Sequence, residues 1–389
     1  MSEIILGSEL LNRLVDGKIP TKEEVYQIYQ DTEKDPSELY KVSQFLRSNH
    51  KGNIVTYSRK VFLNLINLCR DTCSYCTYKS EPSQAKISML SKTDITELVN
   101  IGKKHNCTEA LFVTGERPEQ KYQEARAWLK ENGFSSTAEY LVHASEIALQ
   151  GGLFPHTNAG NLTKEEMRDL RKTNVSMGLM LENASERLSE KDMPHEFAPS
   201  KNPKARIRVL QNAGELKIPM TTGLLVGIGE NPFELIDSIY AIKELSDKYQ
   251  HIQEVILQNF QPKRDTPMRD NHSPLEKYFK TLVALTRIIL PKMNIQIPPN
   301  LSPKSYSSFL DIGINDWGGI SPVTQDYVNP EFSWPKIEDI GRNCTDAGFR
   351  LRARFPVYPE FFPYVNSDLR SRMGEIADSE NLVSMEYIK

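Results

Sequence analysis

The 389-residue sequence contains no hydrophobic run that approaches the roughly 18 residues of a membrane-spanning helix. It also has no charge excess, since 48 Lys and Arg residues against 51 Asp and Glu residues give a formal net charge of −3. A general nucleic-acid binder would carry a basic surplus. The first residues lack the basic segment of a secretory signal and include acidic side chains. We therefore expect a cytoplasmic protein that binds neither membranes nor nucleic acid.

Cysteine is scarce, and its distribution is uneven. Three of the five cysteines, Cys69, Cys73 and Cys76, lie within eight residues, whereas Cys107 and Cys344 stand alone. A disulfide framework would instead spread an even number of cysteines through a short secreted chain. The cluster therefore predicts one local site that needs three thiolates, and the two isolated cysteines are predicted to be buried thiols.

From residue 60 onward, apolar strand-like runs alternate with amphipathic helical patterns. Eight such runs occur, at residues 61–66, 110–115, 153–159, 175–182, 219–229, 252–260, 294–298 and 311–315. This alternation is typical of parallel βα units, which close into a barrel or form an open sheet. The count of eight and the span of roughly 250 residues favour the barrel. The predicted fold class is therefore α/β, a TIM-type (β/α)8 barrel.

Helix-start signals support this division of the chain. Capping boxes are predicted at residues 21–24, 91–94 and 163–166, and proline at the first helical position follows Asp35, Asn231 and Ser273. We assign residues 1–50 to an N-terminal helical extension, 51–365 to the barrel and 366–389 to a C-terminal tail. In this last part of the chain, Arg350, Arg352 and Arg354 would share one face of a strand. That face is either solvated and ion-paired or a site for an anionic ligand.

The cysteine cluster has the spacing Cys-x3-Cys-x2-Cys and directly follows the first predicted strand. Thiolates are soft ligands that suit iron–sulfur clusters, zinc or Cu(I). Structural zinc normally takes four ligands, and neither His105 nor Cys107 is close enough in sequence to complete the set. A cubane cluster on three cysteines leaves one iron open to a substrate or cofactor. Zinc and a simple electron-transfer cluster remain the alternatives.

With Tyr75 just before its last cysteine, the motif resembles the signature of the radical S-adenosylmethionine (SAM) superfamily. The resemblance implies that Cys69, Cys73 and Cys76 hold a [4Fe-4S] cluster and that SAM binds its open iron. It also implies that one electron from the cluster cleaves SAM to a 5′-deoxyadenosyl radical. The protein would supply binding, orientation and a dry site.

The resemblance extends to strand ends that follow the motif. Thr114, Gly115 and Glu116 are similar to the superfamily's Gly-Gly-Glu segment, with Thr114 in place of the first glycine. The stretch from Gly223 to Gly227 resembles its adenine-side motif, with Leu225 in place of isoleucine. The cofactor-binding residues implied are Tyr75, Thr114, Gly115, Glu116, Gly223 and Gly227, and the candidate catalytic residues are Glu182 and Asn259. The alternative for Glu182 is a surface carboxylate near Arg187.

Longer segments resemble one family within this superfamily. Residues 67–73, 108–119, 252–260 and 315–322 are similar to the 7,8-didemethyl-8-hydroxy-5-deazariboflavin synthases, specifically to their ammonia-releasing subunit. The likeness covers roughly residues 50–365. It implies a radical lyase that converts 5-amino-5-(4-hydroxybenzyl)-6-(D-ribitylimino)-5,6-dihydrouracil into the deazaflavin chromophore. A tyrosine-joining radical SAM subunit would supply this substrate, and a one-electron reductant would supply electrons. That joining subunit is the alternative identity, and a non-catalytic iron–sulfur or zinc protein is the alternative class.

A neutral, polyhydroxylated and aromatic substrate needs uncharged hydrogen-bonding groups and flat apolar walls. Candidates for these contacts lie at predicted strand ends, where barrel enzymes place functional residues. They are His156, Asn158, Gln258, Asn300, Asp316 and Trp317. For the Asn and Asp residues the alternative is a turn, for the histidine an ordinary buried hydrogen bond, and for the tryptophan plain packing.

Overall fold

The computed structural model describes residues 7–84 and 87–388. Its centre is a closed barrel of eight parallel strands in the order β1 to β8, in which β1 pairs with both β2 and β8. The predicted (β/α)8 barrel is confirmed. The strands are β1 Ile54–Ile66, β2 Glu109–Thr114, β3 Phe154–Asn158, β4 Ser176–Gly178, β5 Met220–Val226, β6 Ile252–Asn259, β7 Asn294–Gln296, β8 Asp316–Ile320 and β9 Arg350–Arg354.

Fourteen α-helices are found in the described part of the chain. They are α1 Glu9–Val15, α2 Lys22–Thr32, α3 Ser37–Lys51, α4 Lys92–Lys104, α5 Pro118–Lys121, α6 Gln123–Glu131, α7 Thr137–Gln150, α8 Lys164–Leu170, α9 Pro203–Glu215, α10 Pro232–Tyr249, α11 Glu276–Ile289, α12 Ile337–Asp346, α13 Ser367–Gly374 and α14 Met385–Ile388. Short 3₁₀ helices lie at Glu186–Ser189, Pro199–Lys201, Pro299–Leu301, Tyr306–Ile312 and Pro359–Tyr364. Within the described residues, no helix combines the length and apolarity needed to cross a bilayer.

Strand β1 is long enough, at 13 residues, to serve two neighbours on one side. Its second half pairs with β2, from Lys60 opposite Glu109 onward. Its first half pairs instead with β9, from Ile54 opposite Arg350 to Ser58 opposite Arg354. The ninth strand therefore extends the sheet beyond the amino-terminal end of β2. It brings Arg354, the last residue of β9, to the amino-terminal end of the barrel, which we call its bottom.

Local signals at the helix starts are largely confirmed. Capping boxes form at Thr21, Ser91 and Thr163, and Asn231 caps α10 with Pro232 at its first position. Two of the predicted helix starts are wrong. Helix α3 begins at Ser37, with Pro36 as its N-cap, and α11 begins at Glu276 after Leu275 rather than at Pro274.

The eighth strand was predicted in the wrong place. A strand was expected at residues 311–315, but the first two of these residues are the end of the 3₁₀ helix Tyr306–Ile312. Gly313 follows that helix with a φ of +120°. Asn315 then accepts a hydrogen bond from the backbone N–H of Ile295, and the strand begins at Asp316. The apolar alternation of these residues reflects their burial in a turn, which a period of two does not distinguish from a strand.

The N-terminal helices are packed onto the barrel wall. Arg47 of α3 is fully buried and donates hydrogen bonds to the carbonyl oxygens of Ile314 (3.1 Å) and Ile54 (3.0 Å). At the other end of the chain, Val383 donates its N–H to the carbonyl oxygen of Ala353 in β9. Two parts of the predicted ends lie outside the described residues: residues 1–6 of the extension and residue 389 of the tail. The first of these includes the start of the segment for which a secretory signal was not expected.

Candidate functional site

The cysteine loop follows β1 and is closed by one asparagine. Asn67 donates from Nδ2 to Ser80 Oγ (3.0 Å) and accepts at Oδ1 from the N–H of Ser88 (2.7 Å). Its carbonyl oxygen also accepts from the N–H of Ser80 (2.9 Å). Both ends of the loop are thereby held at the carboxyl end of β1, where barrel enzymes build their sites.

All three clustered cysteines line one cavity, which we call the outer cavity. A tight turn links two of them, because the N–H of Cys76 donates to the carbonyl oxygen of Cys73 (3.2 Å). The third, Cys69, accepts a hydrogen bond at Sγ from the backbone N–H of Glu116 (3.2 Å). Backbone donors to ligand sulfurs are one of the levers that tune iron–sulfur clusters. The arrangement fits a cluster held by three thiolates.

Burial makes these thiols poor acids on their own. It raises the pKa of Cys69 to about 11 and that of Cys73 to about 12. A bound metal reverses this tendency, because coordination deprotonates the thiol outright. In the described ranges, no three His, Cys, Asp or Glu side chains lie close enough to share a single metal ion. A cluster makes a different demand, since each cysteine binds a separate iron atom.

The outer cavity, of about 220 Å³, adjoins an inner cavity of about 160 Å³ inside the barrel. Six residues line both and form the passage between them: Val113, Asn158, Met180, Gln258, Val328 and Asn329. The cysteines lie on the outer side only. A cofactor in the outer cavity and a substrate in the inner one would therefore meet at this passage.

Glu182 lines the outer cavity in a strained backbone conformation. Its φ is +64°, which is uncommon for a residue other than glycine, and its N–H donates to the carbonyl oxygen of Gly223 (3.0 Å). Its carboxylate pairs with Lys201, not with Arg187, which instead binds Glu234. The surface alternative for Glu182 is therefore wrong, since this carboxylate is only 6% exposed. Strain of this kind is concentrated at functional sites.

Thr114, Gly115 and Glu116 all line the outer cavity, and their cofactor contacts stay a prediction. The N–H of Gly115 donates to the carbonyl oxygen of Ile66 (2.7 Å), and the carbonyl oxygen of Glu116 accepts from the N–H of Arg70 (2.8 Å). A Cβ atom on Gly115 would overlap the carbonyl oxygen of Leu68. Glycine is therefore required for the end of β2 to lie against the cysteine loop.

We expect Gly115→Ala to damage the cysteine loop directly. Because the added carbon meets backbone atoms, the loop must move, and we expect a loss of about 1–3 kcal/mol in the free energy of unfolding. Iron and sulfide content after anaerobic reconstitution should fall with it. Gly374→Ala is the matched control, since nothing lies within 4 Å of its added carbon. Wild-type iron content in Gly115→Ala would contradict the close packing.

Gly223, in the middle of β5, and Gly227, just after the strand, act through the backbone. A Cβ atom on Gly223 would overlap the carbonyl oxygen of Ile256 in the neighbouring strand. Gly227 has a φ of +98°, and its N–H donates to Glu230 Oε1 (2.6 Å). Between them, Leu225 lines the outer cavity. Gly223 and Gly227 therefore shape the cavity wall without lining it, and their predicted cofactor contacts remain predictions.

The aromatic residue of the motif is held from behind by a histidine. Tyr75 lines the outer cavity, and its hydroxyl forms a 3.0 Å hydrogen bond with Nε2 of His195. Burial lowers the pKa of His195 to about 3, so this imidazole is neutral. The candidate Asn259 also lines the outer cavity, and its Nδ2 donates to the carbonyl oxygen of Leu301 (2.9 Å).

Three of the predicted substrate contacts face the cavities. Asn158 and Gln258 line the passage, and His156 lines the inner cavity. The Nδ1 atom of His156 forms a 2.6 Å hydrogen bond with Ser176 Oγ. Burial lowers the pKa of His156 to about 4, which keeps the ring neutral at physiological pH. These three side chains therefore present uncharged polar groups.

The other three predicted contacts lie elsewhere. Asp316 and Trp317 open β8 rather than follow it, so their predicted position after the strand is wrong. Trp317 is fully buried outside both cavities and donates from Nε1 to Cys344 Sγ (3.4 Å). Asp316 binds Arg354 at the barrel bottom. Asn300 is 1% exposed and donates to Asp326 Oδ2 (3.0 Å), which is a structural contact.

A buried charge network contributes two residues, Arg354 and Glu254, to the lining of the inner cavity. Arg354 donates from Nε to Asp316 Oδ2 (2.7 Å) and from Nη2 to Glu254 Oε1 (2.9 Å). The same carboxylate oxygen of Glu254 accepts from the hydroxyl of Tyr358 (2.7 Å). Burial raises the pKa of Glu254 to about 7. Of the two alternatives for this basic strand, ion pairing applies to Arg352 and Arg354, whereas Arg350 is exposed.

Several cavity residues were missed by the sequence analysis. In the outer cavity these are Lys201 and Arg206, and in the inner cavity Lys60, Phe62, Glu109 and Trp334. A signal existed for Lys60, because a lysine inside an apolar strand is unusual and alternate residues of a barrel strand face inward. No local signal marks Trp334, which reaches the cavity from a loop.

Comparison with known proteins agrees with this geometry. Residues 63–240 match the model of the Radical SAM superfamily. Two solved structures share the fold. HydG, a maturase of the [FeFe]-hydrogenase, superposes with a TM-score of 0.74 at 18% identity, covering 88% of this chain and 75% of that one. Methylornithine synthase superposes with a TM-score of 0.67 at 16% identity, covering 88% and 97%.

This chain is a radical SAM enzyme, as the barrel, the cysteine loop and the match to the superfamily together show. Its cofactors are a [4Fe-4S] cluster and S-adenosylmethionine. Two relatives are more specific, and both are named 7,8-didemethyl-8-hydroxy-5-deazariboflavin synthase. That of Methanopyrus kandleri is 48% identical over 309 residues, covering 79% of this chain and 92% of the relative. That of Methanocaldococcus jannaschii is 42% identical over 324 residues, covering 83% and 88%. The chain belongs to the 7,8-didemethyl-8-hydroxy-5-deazariboflavin synthase family.

Proposed function

We propose that this chain catalyses the ring-closing, ammonia-releasing step of deazaflavin formation. Its substrate would be 5-amino-5-(4-hydroxybenzyl)-6-(D-ribitylimino)-5,6-dihydrouracil, and its product 7,8-didemethyl-8-hydroxy-5-deazariboflavin. The observation that carries the proposal is the 48% identity to a relative of that name over 92% of the relative's length. The reaction class is then a radical lyase that also releases 5′-deoxyadenosine and methionine.

The outer cavity would hold both cofactors. Cys69, Cys73 and Cys76 supply three thiolates, and the backbone of residues 114–116 lies beside them. The ion pair of Glu182 with Lys201 places one charge of each sign on the wall, and these charges suit a zwitterionic amino acid group. When bound, the two cofactors together supply a carbon-centred radical that removes a hydrogen atom from the substrate.

The inner cavity has the surface that the proposed substrate needs. Phe62 and Leu111 provide apolar walls, and Gln258, Gln296 and Thr221 provide uncharged hydrogen-bonding groups for a polyol. Arg354 and Glu254 add a buried ion pair to the lining, and Arg354 also binds Asp316, which lies outside the lining. Side chains that exclude water protect a reactive radical from side reactions.

Two further molecules follow from the proposal. The substrate already joins a hydroxybenzyl group to a ribityl-pyrimidine, so a separate tyrosine-joining radical SAM enzyme must make it. A one-electron reductant must also reach the cluster. The three cysteines that would hold the cluster are each partly exposed to solvent.

The test is anaerobic turnover with the reconstituted chain. Supplied with the purified intermediate, SAM and a chemical reductant, the chain should form fluorescent deazaflavin and release ammonia in equal amounts. Supplied with tyrosine and the ribityl-diaminouracil alone, it should form no deazaflavin until the joining enzyme is added. If the chain instead consumed tyrosine and made the intermediate, it would be the joining enzyme, and the proposal would fail.

A further inference from the structure

Among the described residues, one lysine projects into the inner cavity, from the middle of β1. Lys60 is only 7% exposed and lines this cavity. Its Nζ atom lies 5.3 Å from the ring centroid of Phe62 and 4.7 Å from that of Trp334, and both rings line the same cavity. The ammonium group thus lies beside two aromatic rings on the wall of the cavity that a flat ring of the substrate would enter.

The glycine pair of β8 makes room for this lysine. A Cβ atom on Gly319 would overlap Cδ of Lys60 and lie 2.7 Å from its Nζ. Gly318, with a φ of +72°, leaves the same kind of room for the side-chain amide of Gln296. Both side chains line the inner cavity. The Gly318–Gly319 segment therefore leaves space for the side chains of Lys60 and Gln296 inside the barrel. This accounts for two adjacent glycines in β8 that do not line the outer cavity.

Charged groups face Lys60 from several elements, and the nearest in register is Glu109, which lies opposite it on β2. Glu109 of β2, Asp326 of the loop after β8 and Glu254 of β6 attract it, whereas Arg354 of β9 repels it. Glu254 binds Arg354, and Asp326 accepts from Asn300 and Asn329. The neutral His156 faces the same cavity from β3.

Within residues 7–84 and 87–388, Lys60 has no carboxylate oxygen within the 4.0 Å of an ion pair. Its three N–H donors have no acceptor among these residues either. Burial without an acceptor is costly for a charged group, and it lowers the pKa of Lys60. A ligand oxygen in the inner cavity would supply the missing acceptor.

We propose that Lys60 is a substrate-binding residue whose ammonium group donates to an acceptor oxygen on a flat ring bound in the inner cavity, beside Phe62 and Trp334. This inference rests on the proposed function, which supplies a substrate with two kinds of ring oxygen, the phenol and the pyrimidine carbonyls. A ring oxygen conjugated across the closed product carries more negative charge than an isolated phenol. The ammonium group therefore binds the ring-closed form more tightly than the open one.

The primary test is Lys60→Met, measured beside Lys51→Met. Lys51 is a partly buried lysine that, unlike Lys60, has partners below the barrel: it donates to Asn294 Oδ1 (2.6 Å) and pairs with Glu360 (3.5 Å). For Lys60→Met we expect wild-type iron content, unchanged SAM cleavage without substrate, and a KM for the intermediate raised roughly 10- to 100-fold. Lys51→Met should keep the wild-type KM. An unchanged KM and kcat in Lys60→Met would overturn the inference while leaving the proposed function in place.

The ionisation of the bound product distinguishes a binding role of Lys60 from a structural role, because a structural role would leave it unchanged. Beside a cationic Lys60, the hydroxyl of bound deazaflavin should ionise at lower pH than in Lys60→Met, which the visible absorption spectrum reports. Gly319→Ala, which displaces the lysine without removing it, should shift this ionisation in the same direction as Lys60→Met.

A product analogue without the hydroxyl identifies the oxygen. If Lys60→Met weakens binding of the hydroxylated product only, the contact is to the phenolic oxygen, and if it weakens both, the contact is to a pyrimidine carbonyl. If it weakens neither, Lys60 does not bind the ring. Wild-type protein that forms no deazaflavin from the intermediate would overturn the proposed function, and the inference with it.

Discussion

Replacing Cys73 with alanine is expected to abolish both the iron–sulfur cluster and the cleavage of SAM. Cys73 lines the outer cavity between the other two cysteines of the loop, and in the described chain no further cysteine lies in that lining. Removing one thiolate leaves two protein ligands for a cluster that needs three. Loss of an outer-shell partner typically costs 10- to 100-fold in a metal site, so loss of a ligand should exceed about 100-fold.

The measurement is iron and acid-labile sulfide per chain after anaerobic reconstitution, together with 5′-deoxyadenosine formed under reducing conditions. Cys107→Ala is the matched control, because Cys107 is fully buried and lies away from the outer cavity. That variant should lose some stability but keep its iron and its SAM cleavage. A Cys73→Ala protein that retains four irons and cleaves SAM would show that the cysteine loop is not the cluster site.

The cysteine site was predictable because its information is local. Three ligands within eight residues follow directly from the end of one strand, so the spacing alone places them together. The caps at Thr21, Ser91 and Thr163 were predictable for the same reason, since each depends on a contact three residues away. The start at Ser273 failed because proline there is followed by an exposed leucine, and the helix begins beyond it.

The inner cavity was not predictable, because strands distant in sequence build it. Lys60 lies opposite Glu109 in register, and Gly319 receives its side chain from across the β1–β8 pair. Arg354 reaches Glu254 over 100 residues of chain, only because β9 pairs with the first half of β1. Nothing near Arg354 in the sequence distinguishes it from Arg350, although one is buried and the other exposed.

Replacing Arg354 with methionine should cause the largest loss of stability in the barrel. Both of its carboxylate partners, Asp316 and Glu254, are nearly inaccessible to solvent, and the substitution leaves them without a cation. Breaking a buried ion pair by removing one partner typically costs 3–5 kcal/mol, so we expect the unfolding free energy to fall by about that amount. Urea unfolding followed by circular dichroism measures it.

Arg350→Met and Arg352→Met, on the same strand, complete a graded series. Arg350 is exposed, so its substitution should leave the unfolding free energy unchanged. Arg352 binds Glu380 Oε2 (2.7 Å) and Asp378 near the surface, so its loss should be intermediate. Equal losses in the three variants would contradict the assignment of Arg354 as the buried charge of the strand.

The loss in Arg354→Met should also depend on pH, with a sign set by Glu254. Burial raises the pKa of Glu254 to about 7 even beside Arg354, and removing the arginine raises that pKa further. A carboxyl whose folded pKa lies above its unfolded value of about 4.3 stabilises the fold at low pH and loses that stabilisation as pH rises through the folded pKa. At pH 5 the protonated Glu254 needs no cation, whereas at pH 8 the variant must bury an unpaired carboxylate or protonate it. The difference in unfolding free energy between wild type and Arg354→Met should therefore be larger at pH 8 than at pH 5, and a difference that shrinks with rising pH would show that Glu254 is not the group left unpaired.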